Sequence, residues 1–111
     1  MEIVVRGDLV TVSLQGDFGK PRPALVIQSD HFSDLATLSI LPLTSTLVDA
    51  PLLRVTLEPD NENCLERTSQ VMVDKIMTVR RERIGAAFGR VAGSFLLEVD
   101  RTLVVFLGMA K

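Results

Sequence analysis

DLVTVSLQGDFGKPRPALVIQ, residues 8–28, reads as two strands joined by a turn. From Asp8 to Leu14 the residues alternate, with Val10, Val12 and Leu14 on one side and Thr11 and Ser13 on the other. That two-residue period is the mark of a half-buried strand. Gln15 to Pro21 holds Gly16, Asp17 and Gly19, residues that favour turns. Ala24 to Gln28 is apolar again and predicts a second strand, so the two form a hairpin with an exposed loop.

Working outward, Leu38–Leu41, Leu53–Leu57 and Gln70–Val73 predict three more short strands, with Ser29–Asp34 and Pro59–Asn61 as polar or turn-forming separators. The period then changes. Leu96, Val99, Leu103, Phe106 and Leu107 recur at helical spacing, Ser94 offers an N-cap and Gly108 a stop. Val104 and Val105 widen the apolar face and point to a helix covered on more than one side, as at an oligomer interface. The expected fold is mainly β with one helix (α+β): a small, partly open β-barrel whose C-terminal helix covers one end. No repeat, linker or low-complexity tract divides the chain, so residues 1–111 read as one domain.

Composition narrows the function classes. Of 111 residues, 47% are hydrophobic and 23% charged, as in a globular domain rather than a disordered segment. The longest apolar runs, such as Leu103–Leu107, are far short of the ~20 residues of a membrane span. MEIVVRGD lacks the basic-then-apolar order of a signal peptide, so a cytoplasmic protein is expected. Twelve basic and fourteen acidic side chains exclude a grip on nucleic acid by bulk positive charge and leave room only for a local basic patch. The single cysteine, Cys64, excludes an intrachain disulfide and cannot alone form a zinc site.

Few residues offer catalytic chemistry. His31 is the only histidine and lies in a polar segment, which gives little support to histidine-dependent nucleophilic catalysis. GAAFGR, residues 85–90, has the glycines of a phosphate loop without its spacing. Arg22 stands out because Pro21 and Pro23 hold its backbone extended at the mouth of a strand. An arginine so placed serves either as a surface ion-pair partner or as a rigid mount for meeting an anion in one geometry. In ILPLTST, residues 40–46, a strand ends at Pro42 and the hydroxyls of Thr44, Ser45 and Thr46 follow; capping or turn formation is their default role.

Taken in order, RGDLVTVSL, KPRPALVIQSD, ILPLTST, SQVMVDKIMTV and RIGAAFGRV with an apolar helical ending resemble the MazF/PemK family of type II toxin endoribonucleases. The resemblance covers nearly the whole chain. It implies an SH3-like barrel, a homodimer, cleavage of single-stranded RNA with neither metal nor cofactor, and neutralisation by a cognate MazE-like antitoxin with a flexible acidic tail. It places the family's catalytic arginine at Arg22 and its catalytic threonine at Thr44.

Those two groups suit RNA cleavage by the adjacent 2′-hydroxyl: a fixed guanidinium and a hydroxyl donor favour the charge that grows on the nonbridging oxygens. Lys20 would then contact backbone phosphate, and Phe18 either meets an unstacked base or folds back onto the barrel, with Ser45 and Gln70 completing the substrate-binding set. Gln70 and Asp74 match a family segment near the groove and dimer interface, and Asp74 is not read as catalytic. The loop QGDFGKP is shorter than in many relatives and carries Asp17 where an anion would approach, so sequence preference is left open. Arg80, Arg81 and Arg83, with Glu82 among them, form either a solvated turn or a local RNA-facing patch. The alternative is a CcdB-like, non-enzymatic toxin that binds DNA gyrase; those toxins depend on a C-terminal tryptophan, and this chain has none.

Overall fold

The structure, a computed structural model, describes residues 3–14 and 20–110. Among these, seven strands precede one helix: β1 (Asp8–Ser13), β2 (Pro21–Val26), β3 (Thr37–Thr44), β4 (Arg54–Leu57), β5 (Ser69–Met72), β6 (Met77–Arg80), β7 (Ile84–Arg90) and α1 (Gly93–Phe106). All strand pairings are antiparallel, in the order β4-β5-β3-β2-β1-β7, with β6 also on β3.

β3 organises the barrel. One edge pairs with β2, while the other is shared, Thr37–Ile40 with β6 and Leu43–Thr44 with β5. Pro42, which has no N–H to give, sits in the gap between those two pairings. The strip β6-β3-β2-β1-β7 is then brought round on itself, because β6 and β7 at its two ends are joined only by the turn Arg81–Arg83. Register shifts in the β1–β7 pairing add the local bend this wrapping requires. The sheet does not close, and the barrel is partly open, as the sequence predicts.

Alternation along the strands builds two cores. One face carries Leu9, Leu25, Leu41, Leu43, Val55 and Val71, and α1 packs on it through Val99, with Phe95, Leu96 and Leu103 at the margin. The other encloses Val10, Val12, Ala24, Val26, Leu38 and Ile40. Arg6 ties the helix to the barrel by bonding both the Ile27 carbonyl and Asp100. Gly7, at φ +94°, turns the chain into β1 and lets buried Asp8 accept from Val5 N–H at 2.9 Å and from Arg90 at 2.5 Å.

Four expectations are corrected. β3 runs on through Pro42 to Thr44 instead of ending at the proline, and two further strands, β6 and β7, are present, with GAAFGR in β7. α1 starts at Gly93 with Ala92 at the cap and no capping side chain, so Ser94 lies inside the first turn. Phe106 and Leu107, 42% and 49% exposed, continue the helical stripe beyond the surface beneath it. The stop at Gly108 holds: at φ +77° its N–H donates to Val105 O and that of Met109 to Val104 O, a Schellman ending.

Candidate active site

The β2–β3 ladder pairs Val26 with Ile40, Leu25 with Leu41 and Ala24 with Pro42. The pairing ends there; continued two residues further, the same register sets the position of Arg22 opposite that of Thr44. β5 extends the row, since Thr44 pairs with Gln70, and β4 after it, since Gln70 pairs with Thr56. Directly opposed residues share a face, so Arg22, Thr44, Gln70 and Thr56 form a polar line across four strands. It continues the side that carries Ala24 and Val26, away from the core under α1.

Each member is mounted differently. Arg22 is exposed at the start of β2 and flanked by two prolines that fix its backbone. The ladder to β3 begins at Ala24, past both prolines, so their missing donors do not interrupt it. Thr44 is half-buried and ends β3; its Oγ1 accepts the N–H of Thr46 at 3.1 Å. A hydroxyl held in that way still has its hydrogen to donate. Gln70 is buried, and its amide bonds Val48 and Thr56. Beside it a recess of about 400 Å³ opens between residues 48–51, Arg54 and Glu98 of the helix.

The other candidates sort by location. Lys20 is exposed immediately before Pro21, and Ser45 is exposed immediately after Thr44, so both flank the row. Phe18 and Asp17 lie outside the described residues. Asp74 pairs with Arg54 at 2.9 Å, which ties the turn after β5 to the start of β4. Arg80 pairs with Glu82 at 3.0 Å, Arg81 donates to the carbonyls of Leu35 and Phe32, and Arg83 donates to that of Ser13. The arginine cluster thus braces neighbouring turns. His31 is exposed in a short 3₁₀ turn and Cys64 in the 58–65 loop. Among the described residues no three His, Cys, Asp or Glu side chains are grouped so as to hold a metal ion.

Sequence reasoning did not single out Thr56, nor the contact between Gln70 and the segment after Thr44. Both depend on β4–β5 register, and two short strands separated by a long loop carry no local signal for it.

Comparison with known proteins gives one consistent result. A protein of Mycolicibacterium smegmatis named probable endoribonuclease MazF is 42% identical over 106 residues, which span 95% of this chain and 97% of that one. Among solved structures, a mycobacterial endoribonuclease in complex with its cognate antitoxin superposes with a TM-score of 0.82 at 21% identity, covering 97% of this chain and 98% of that chain. A MazE–MazF structure from Deinococcus radiodurans gives 0.80 at 26% identity, covering 99% and 100%. The family described as PemK-like, MazF-like toxin of type II toxin-antitoxin system matches residues 5–107, and this chain belongs to that family.

Proposed function

We propose that the protein is an endoribonuclease toxin that cuts single-stranded RNA without a metal ion, and that Arg22 and Thr44 do the chemistry. The observation that supports this reading is the β2–β3 register, which, continued past Ala24 and Pro42, sets Arg22 opposite Thr44 at the exposed end of both strands. The RNA 2′-hydroxyl attacks the neighbouring phosphorus; the O2′–P bond forms and the P–O5′ bond breaks. The 2′ proton passes to water, and a proton returns to O5′. The products are a 2′,3′-cyclic phosphate and a 5′-hydroxyl end. Charge accumulates on the nonbridging oxygens, where a guanidinium and a hydroxyl hydrogen meet it with little reorganisation. DNA lacks the attacking group and survives.

Lys20 and Ser45, exposed at the two edges of the pair, then contact the backbone on either side of the cut, and Phe18 is assigned to an unstacked base. Cleavage of messages stops translation and growth. A MazE-like antitoxin with an acidic segment silences the toxin by covering Lys20 and Arg22, where its charge is complementary. The working form is a homodimer.

Incubation of wild type and Arg22→Ala with a long single-stranded RNA in EDTA, followed by mapping of the ends, tests the reading. Discrete wild-type cuts ending in cyclic phosphate, reduced by about 10² to 10³ in the variant, are expected. Intact RNA with the wild type overturns it and favours a toxin that acts by binding alone; equal cutting by both proteins removes Arg22 from the chemistry.

A further inference from the structure

Resting on the endoribonuclease reading above, we infer that Gln70 is a positioning residue that sets Thr44 by clamping the segment behind it, and that its amide does not contact substrate. Gln70 holds this segment twice. Its backbone pairs with Thr44 in the β3–β5 ladder. Its side chain reaches four residues further along, accepting the N–H of Val48 at 3.1 Å and donating to the carbonyl of Val48 at 3.0 Å. The second amide hydrogen goes to Thr56 Oγ1 at 3.3 Å.

A primary amide has two hydrogens to donate, and both are taken. The reciprocal bonds to Val48 copy one rung of a β-ladder, made by a side chain where the strand has ended. Residues 45–47 are therefore pinned at both ends by a single residue. Inside that span Thr46 N–H donates to Thr44 Oγ1, so the orientation of the hydroxyl depends on the path of the segment. Val48 is 46% exposed and has little packing to hold it otherwise. Gln70 is buried, which makes its amide costly to leave unpaired and the clamp correspondingly fixed.

Two variants separate the possibilities. Gln70→Met keeps the side-chain length and removes every hydrogen bond. Gln70→Glu keeps an acceptor for Val48 N–H but sets a carboxylate against the Val48 carbonyl, and it serves where the first variant fails to fold. Hydrogen exchange at the Val48 amide reads the clamp without reference to activity: protection present in wild type is expected to fall at least about tenfold in Gln70→Met and less in Gln70→Glu. In single-turnover cleavage of a short RNA carrying a mapped site, the rate at saturation is expected to fall between about ten- and a hundredfold, with half-saturation nearly unchanged. On a Thr44→Val background, Gln70→Met is expected to cost nothing further.

Unchanged Val48 exchange overturns the clamp. Lost protection with undiminished cleavage overturns its role in positioning. Weakened saturation at an unchanged limiting rate, or a loss that adds in full to that of Thr44→Val, removes Gln70 from the positioning of Thr44. If wild type cuts no RNA, the endoribonuclease reading falls together with the kinetic half of this inference, while Val48 exchange still decides the clamp.

Discussion

At the residue scale, the proposed chemistry depends on two side chains whose freedom has been removed by different means. Arg22 is constrained covalently, by a proline on each side, and the pattern Pro-Arg-Pro is visible in the sequence without any structure. Thr44 is constrained by hydrogen bonding, because its oxygen accepts from Thr46 two residues on. Thr44→Ser retains both the acceptor and the donor and is expected to cut RNA within about tenfold of wild type. Thr44→Val matches the shape without the hydroxyl and is expected to lose about 10² to 10³, the usual weight of one donor to developing charge. Single-turnover rates on one RNA check both, and a valine variant that cuts like wild type removes Thr44 from the mechanism. The arginine was legible because proline acts on its immediate neighbours. The threonine's partner across the sheet was not, because register is a property of two segments.

At the element scale, the first hairpin and the C-terminal helix were legible because their periods persist over several residues. β6 and β7 were not. MTVR alternates apolar and polar residues but for only four positions, and IGAAFGR is rich in glycine and alanine, so neither carries a sustained apolar period. The glycines of β7 have a different reason to be there. The 58–65 loop, centred on buried Asn63, folds back onto this strand, and Arg90 N–H donates to Glu62 O at 2.9 Å. A Cβ on Gly89 would lie 2.3 Å from Asn63 O, a backbone atom that cannot swing aside. Asn63 itself accepts from the N–H groups of Asp60 and Leu65 and donates to Glu58 O, so the loop has little slack. Gly89→Ala is expected to destabilise by about 1–3 kcal/mol or more, seen as a fall in Tm of the order of 10 °C. Arg22 and Thr44 lie on other strands, so cleavage well below the new Tm is expected to be unchanged. An unshifted melting curve shows that the loop can move away.

At the scale of the whole molecule, the apolar surface is uneven. The last turn of α1 and the residues after it leave Val105, Phe106, Leu107 and Met109 between 42% and 74% exposed, next to one another. The Schellman ending turns the chain at Gly108 and Met109, so four large apolar side chains are exposed within five residues. Apolar exposure concentrated in this way favours an interaction site, and a net charge of −2 gives little repulsion between copies. The sequence already hinted at it, since the helical stripe is broader than one sheet can cover. A homodimer through this end of α1 is the expected arrangement. Light scattering at micromolar concentration is expected to give about twice the chain mass of 12.2 kDa, and Phe106→Glu to return it to the monomer without unfolding. A wild-type monomer at that concentration removes the dimer. A dimer that survives Phe106→Glu moves the contact elsewhere, and the apolar recess of about 510 Å³ beside Leu38 and Ile84 is the next surface to vary. Cleavage by the monomeric variant then shows whether one barrel suffices: undiminished rates place the whole active site within a single chain, and lost activity in a folded monomer shows that the groove needs both.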